Sequence, residues 1–422
     1  MAAMDGKLYC RLLHRALTDL NIKAVEILAS PPSLSDNGVD DTYDRAYLPL
    51  LVVTSEHVVG VPKNILFTAF EYAHNAFYER VRQTTGITVT DEDDDEIDCT
   101  SLVLLLVASE NLTAVNARKR RLQHPAPRFQ NKPHQHALIE REYNILTTLL
   151  TSRLQKHSKS PFLWHYRQHL VQLLLPIALN AVLPPSTSLS FPDAEATAAT
   201  RALESLCHAE LQAVLFAAEY HPMNYYSWNY ARWFFSIIYT SSLHLYPSLM
   251  DGSKPTNHTA PIFMESAIIR KIEKWCFAHA SDTSAWTFYQ WLLLFYADTF
   301  FRAPTDNKLV LSKLVDAVTF ATTVSPGHDA VWAGFMRRII ADPRYVSPRR
   351  RDQFMDAIAR YLRSRKHDSY ATQGLANSQG VRQQDKAAVL ALVELRDKDV
   401  YAIEQCLTWI AVACDVYRQE RK

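Results

Sequence analysis

His221-Pro222-Met223-Asn224-Tyr225-Tyr226-Ser227-Trp228-Asn229-Tyr230-Ala231-Arg232-Trp233 is the stretch whose reading decides the fold. Apolar-periodic segments flank it on both sides, so it reads as the turn of a helical hairpin and the start of the second helix. Pro222 stops the first helix, and Asn224 is placed to N-cap the next. Trp228, Ala231, Phe235 and Ile238 then recur at +3, +4 and +3, one face of a 3.6-residue period. Four other places repeat this design. Aligned on the residue that opens each second helix, the turns fall at Val115, Trp164, Trp228, Trp286 and Trp332, at intervals of 49, 64, 58 and 46 residues.

The rest of the chain agrees with a helical reading. Nine glycines in 422 residues is few, while aliphatic and aromatic residues are abundant. Few glycines and long 3.6-residue periods argue for helices rather than a sheet. A hairpin of two amphipathic helices cannot bury its faces alone, so neighbours must stack. The expected fold is therefore all-α, with helical hairpins stacked into a crescent-shaped α-solenoid. Three regions are expected: residues 1–100, helical with an acidic loop; residues 101–345, the repeats; and residues 346–422, C-terminal helices with a mobile loop at 366–381.

Within the first region the periodicity predicts helices over 7–29 and 62–83. The run Asp91-Glu92-Asp93-Asp94-Asp95-Glu96 reads as a solvated loop. Loops are also expected at 184–192 and 247–261, and a last helix from about Lys386 to Arg418.

Bulk chemistry excludes several classes. A formal charge of +1 gives no general reason to expect nucleic acid or a membrane surface as partner. Met1–Leu20 carries charges throughout and lacks the apolar core of a signal peptide. Leu102–Ala108 and Trp291–Tyr296 are too short to span a bilayer. The six cysteines are far apart and form no CxxC pair, which reads as reduced thiols in a cytoplasmic protein. No G-x-S-x-G, P-loop or G-x-G-x-x-G is present.

The turn sequences say more than their period. Asn224-Tyr225-x-x-Trp228 with Arg232 behind it resembles the repeat of protein prenyltransferase alpha subunits, Asn-Tyr-x-x-Trp-x-x-Arg. Lys159-Ser160-Pro161-Phe162-Leu163-Trp164-His165-Tyr166-Arg167 matches at Trp164 and Arg167. Thr113-Ala114-Val115-Asn116-Ala117-Arg118 resembles a repeat in which Val115 replaces the indole. Ser284-Ala285-Trp286-Thr287-Phe288-Tyr289 keeps the Trp with Tyr289 at the Arg position, and around Trp332 the Arg is displaced to Arg337. The similarity covers roughly residues 101–343. Long loops and eroded motifs look closest to the divergent alpha-subunit-like repeat proteins that pair with the beta subunit of the Rab geranylgeranyltransferase.

The resemblance implies an alpha-type subunit wrapped around a beta subunit, active only as a heterodimer. The reaction implied is transfer of a farnesyl or geranylgeranyl group from its prenyl diphosphate to a C-terminal cysteine of a protein substrate. Zinc is implied in the partner beta subunit and no cofactor or metal in this chain. The family lysine that steadies the leaving diphosphate stands five residues before the Trp, where this chain has Lys159. The family tyrosine two residues later is Pro161 here; in the next repeat Tyr225 keeps the tyrosine and Met223 stands at the lysine position. Lys159 and Tyr225 are thus the candidate diphosphate-side contacts, while Val115, Arg118, Trp164, Arg167, Asn224, Trp228, Arg232, Trp286 and Trp332 are expected to carry the repeat structurally. Arg at +3 or +4 can cap carbonyls or pair with an acidic neighbour.

Two alternatives stand beside this reading. One is a non-enzymatic α-solenoid scaffold. The other is a standalone isoprenoid synthase in which Asp94, Asp95 and Asp98 bridge magnesium to a diphosphate. His165 and His169 share a helix face at zinc-pair spacing, but no third ligand is indicated nearby, and they read as surface or packing histidines. The run Arg118-Lys119-Arg120-Arg121 reads as a solvated helix end.

Overall fold

The computed structural model describes residues 2–19, 22–29, 50–53, 57–83, 90–129, 131–180, 193–245, 267–300, 305, 307–324 and 329–376. These are mostly helical. The chain divides into two compact units, Met1–Phe235 and Ser236–Lys422.

The first unit opens with α1 (Ala2–Thr18), then β1 (Ala24–Leu28), β2 (Leu51–Val53), β3 (Val58–Pro62) and α2 (Lys63–Gln83). The helix expected over 62–83 is present as α2. The helix expected over 7–29 is not continuous. It stops at Thr18, and Ala24–Leu28 forms the edge of a three-stranded sheet ordered β1-β3-β2, with β1 parallel and β2 antiparallel to β3. The β-branched residues explain the switch: Val25, Val59 and Val61 are buried on the sheet, which packs against α2 and the later helix α5 (Lys132–Leu150).

Helix α3 (Asp91–Val107) begins with the acidic run expected to be a loop. Thr90 and Asp93 form a reciprocal capping box, and four acidic residues occupy the first turn. Carboxylates there complement the positive end of the helix dipole, so the run is a start signal for a helix. Downstream, Leu102–Leu106 is completely buried, which accounts for this apolar run as core. Among the described residues no helix is long and apolar enough to cross a membrane.

The remaining helices of this unit pair off. α3 and α4 (Leu112–Gln123) form one hairpin, α5 and α7 (Pro161–Asn180) a second with the short α6 (Gln155–Ser158) in its turn, and α8 (Asp193–Tyr220) and α9 (Tyr225–Leu245) a third. The unit boundary falls inside α9.

In the second unit α10 (Ile269–Ala278) and α11 (Thr283–Phe300) form a hairpin. They are followed by α12 (Lys308–Thr323), a π-helical segment Ala330–Met336 that runs into α13 (Arg337–Ala341), and α14 (Pro348–Ala376). Trp332 lies in the π-helical segment. Gly334 there is close-packed: a Cβ added to it would lie 3.2 Å from Cβ of Trp286. Residues 366–376 of the expected loop belong to α14. The other part of that loop, the loops at 184–192 and 247–261, and the helix expected over 386–418 lie outside the described residues.

Candidate functional site

The second helix of each hairpin starts the same way. Asn111 accepts from the amide of Ala114 (3.0 Å), Ser160 from Leu163 (3.3 Å), Asn224 from Ser227 (3.3 Å) and Asp282 from Ala285 (3.0 Å). Each cap stands four residues before Val115, Trp164, Trp228 or Trp286. The corresponding fifth position, His328, is outside the described residues. A short polar side chain at this point satisfies an amide that the first helical turn leaves open.

The aromatic that follows is structural. Trp164, Trp228, Trp286 and Trp332 are all buried, as is Val115. Indole N–H groups of Trp164 and Trp286 donate to the carbonyls six residues back, Ser158 (2.7 Å) and Ala280 (3.1 Å). The indole therefore fills the core and closes its own turn in one stroke.

Behind the aromatic, the arginine joins one hairpin to the next. Arg118 on α4 grips Glu142 on α5 through Nε (2.9 Å) and Nη2 (2.6 Å), and Glu142 also accepts from Tyr166 of α7 (2.9 Å). Arg167 on α7 grips Glu210 on α8 at 2.8 and 3.1 Å, and Glu210 also accepts from Tyr143 and from Tyr230 of α9 (2.6 Å). Each staple thus has an arginine from one hairpin and a glutamate and tyrosine from the next. Burial pulls the pKa of Arg167 down, but the charge of Glu210 outweighs it and the guanidinium stays protonated. Burial and the same carboxylate hold the Tyr230 phenol well above its ordinary pKa. Tyr289, at the arginine position of its repeat, bonds Glu273 on α10 (3.0 Å). Arg232 is half-buried.

Sequence reasoning misses the glutamates Glu142, Glu210 and Glu273. Their distance to the following Trp varies, so no fixed spacing marks them. The available signal was a carboxylate on an apolar stripe: Glu142 follows Ile139 by three and precedes Leu146 by four, and Glu210 stands likewise between Cys207 and Val214.

The turns of the first unit are also tied to each other. Asn224 donates to the carbonyl (2.9 Å) and hydroxyl (3.0 Å) of Ser158. Ser160 donates to the Ser109 carbonyl (3.0 Å), and Ser109 to the Lys156 carbonyl (2.7 Å). Lys159 emerges on this edge, half-buried, and its Nζ lies 3.4 Å from the Pro222 carbonyl in the turn that leads to Tyr225. Tyr225 is 59% exposed, packed edge-on to Tyr226 at 5.7 Å, and follows Met223, itself exposed in the left-handed region at φ 56°. Lys159 also lines an 850 Å³ cleft with Lys156, Glu110, Tyr78, Ser109 and Asn111. Lys156 donates to the Val107 carbonyl (2.6 Å), and burial lowers its pKa. The edge therefore presents two ammonium groups, one carboxylate and the exposed phenols of Tyr225 and Tyr226.

The other candidate sites are engaged elsewhere. Asp94 pairs with Arg121 (2.6 Å) and Arg128 (3.0 Å), Asp95 with Arg128 (2.5 Å), and Asp98 with Arg118 (2.9 Å), Arg121 (2.8 Å) and Arg141. Asp98 is fully buried, yet Arg121 and Arg118 hold its pKa well below the usual carboxylate range. These carboxylates are committed to guanidinium groups rather than open to magnesium. The expectation that Arg118–Arg121 is a solvated helix end is likewise corrected, because Arg118 and Arg121 are buried. His165 is exposed and bonds Gln168, and His169 is half-buried. Among the described residues no group of three His, Cys, Asp or Glu side chains is arranged to hold a metal.

Comparison with known proteins finds a family match over part of the chain. Residues 188–302 are similar to the ECM9 middle domain. This stretch holds the Asn224–Trp228–Arg232 motif and Trp286. No curated protein matches the chain.

Proposed function

We propose that this chain is the alpha-type subunit of a heterodimeric protein prenyltransferase. The heterodimer transfers a farnesyl or geranylgeranyl group from its diphosphate to a C-terminal cysteine of a protein. The observation that carries this reading is the shared plan of the hairpins: a cap four residues before a buried apolar residue (Val115, Trp164, Trp228 or Trp286), with Arg118 and Arg167, three residues after Val115 and Trp164, stapled to the next hairpin. Those positions coincide with the Asn-Tyr-x-x-Trp-x-x-Arg pattern, and the hydrogen bonds from Asn224 to Ser158 and from Ser160 to Ser109 stack the turns. These bonds line the turns of the first unit along one edge, which supports reading the hairpins as an α-solenoid.

On that edge Lys159 steadies negative charge on the departing diphosphate, and Tyr225 offers a phenol to the same group. The beta subunit supplies the zinc and the isoprenoid pocket. Pro161 and Met223, standing where the family has its tyrosine and its lysine, favour the scaffold as the second reading.

Co-expression with a prenyltransferase beta subunit, followed by size exclusion and transfer of labelled isoprenoid to a Cys-ending peptide, tests this. The expected result is a one-to-one complex whose transfer rate falls about 10²-fold or more in Lys159→Ala, the scale of losing one donor to a developing anion. A chain that assembles with no beta subunit is the scaffold instead.

A further inference from the structure

Cys10 on α1 and Cys99 on α3 are 89 residues apart in the chain, yet their Sγ atoms lie 3.1 Å from each other. Both are free thiols. Cys10 is fully excluded from solvent, while Cys99 is 7% exposed. A disulfide requires sulfur atoms about 2.0 Å apart, so closure needs an approach of roughly 1 Å. α1 packs on both α2 and α3, which holds the two sulfurs facing each other. The second described pair of cysteines, Cys207 and Cys276, belongs to different units.

We propose that Cys10 and Cys99 form a redox modification site that a small hydroperoxide converts to an intramolecular disulfide tying α1 to α3. Cys99, the less deeply buried residue of the pair, attacks a peroxide oxygen. A sulfur–oxygen bond forms, the oxygen–oxygen bond breaks, and the departing hydroxide leaves as water with the thiol proton. Cys10 then attacks the Cys99 sulfenic sulfur. The sulfur–sulfur bond forms, the sulfur–oxygen bond breaks, and a second water carries off the sulfenic oxygen with the Cys10 proton. Two electrons leave the sulfur pair and reduce one hydrogen peroxide to two waters.

The surroundings select the oxidant. The hydrogen bond with Cys99 and burial both push the Cys10 thiol above its ordinary pKa, so it reacts slowly while α1 is packed. Both residues are buried, so a molecule the size of peroxide needs less opening to reach Cys99 than a bulky disulfide such as oxidised glutathione, which needs α1 to lift away. Once formed, the bond closes an 89-residue span and restrains α1 on the unit.

Reduced full-length chain treated with hydrogen peroxide, alkylated and mapped by mass spectrometry tests the proposal. The expected product is one cross-linked peptide pair containing Cys10 and Cys99, lighter by two hydrogens and restored by dithiothreitol. Amide exchange in α1 should slow by about tenfold or more in that product. Cys10→Ala should abolish the cross-link and leave Cys99 as sulfenic or sulfinic acid; Cys99→Ala serves where Cys10→Ala fails to fold, and should leave Cys10 unmodified. Oxidation of other cysteines while Cys10 and Cys99 remain thiols would overturn the proposal, as would equally fast oxidation by glutathione disulfide.

Discussion

Arg167 and Glu210, 43 residues apart and both shut off from solvent, meet through two parallel hydrogen bonds of 2.8 and 3.1 Å. The remaining acceptor capacity of Glu210 goes to Tyr143 and Tyr230. Removing one partner of such a pair leaves a buried charge uncompensated, which costs about 3–5 kcal/mol. Glu210→Ala should therefore lower stability by that amount in chemical denaturation. Glu210→Gln, which keeps the shape and an acceptor, should cost less. Equal, small losses in both variants would mean that the staple adds nothing to the fold.

Asn224 has two jobs that substitution can separate. Asn224→Ala loses the cap and both bonds to Ser158, for a total of about 2–3 kcal/mol. Asn224→Ser keeps a capping oxygen but is too short to reach across to the neighbouring turn. The difference between the two variants in denaturant midpoint should be about 1 kcal/mol, the worth of the cap.

Met223 holds φ 56°, a conformation that costs a side-chain-bearing residue about 1–2 kcal/mol. Glycine adopts it freely but loses more entropy on folding. Met223→Gly is expected to raise stability by about 0.5–1 kcal/mol, read as a higher thermal midpoint.

His157 is buried with its Nε2 3.1 Å from the Leu105 carbonyl, and burial lowers its pKa from 6.5 to about 4. The unfolded chain therefore takes up a proton at higher pH than the folded one. Stability from this group is complete above about pH 6.5 and is lost as pH falls towards 4, with no further loss below. The full span is about 3 kcal/mol. His157→Gln should flatten the stability profile between those pH values by that amount, measured as the difference between variant and parent.

Local patterns revealed the helices and the turns but little of what crosses between hairpins. Period 3.6 placed α2 and the start of α9, and Asn224 was legible as a cap because capping is decided within four residues. β1 was missed because Ala24–Leu28 continues an apolar rhythm from α1, and its strand partner lies at Val58–Pro62. Taken singly, the acidic run reads as a loop and the basic run as a solvated helix end; only their pairing explains both. Asp94 and Asp98 lie one turn apart on α3, Arg118 and Arg121 one turn apart on α4, and a hairpin folds those faces together. Sign complementarity between the two arms of one hairpin was the clue. The edge formed by Lys159 and the Pro222 turn depends on contacts 63 residues apart, which no short window contains.

Three hairpin turns share one span, while the turn between α5 and α7 is longer because it holds α6. Four residues separate α3 from α4, α8 from α9 and α10 from α11, at 108–111, 221–224 and 279–282. By contrast α4 ends at Gln123 and α5 starts at Lys132, while α7 ends at Asn180 and α8 starts at Asp193. The turn at 221–224 therefore has the same length as two others, and the extra length between Trp164 and Trp228 lies outside it. For protein engineering this fixes an address to avoid: one extra residue at 221–224 would pull Asn224 off Ser158 and throw two hairpins out of step, so a fluorescent domain or affinity tag belongs away from that turn.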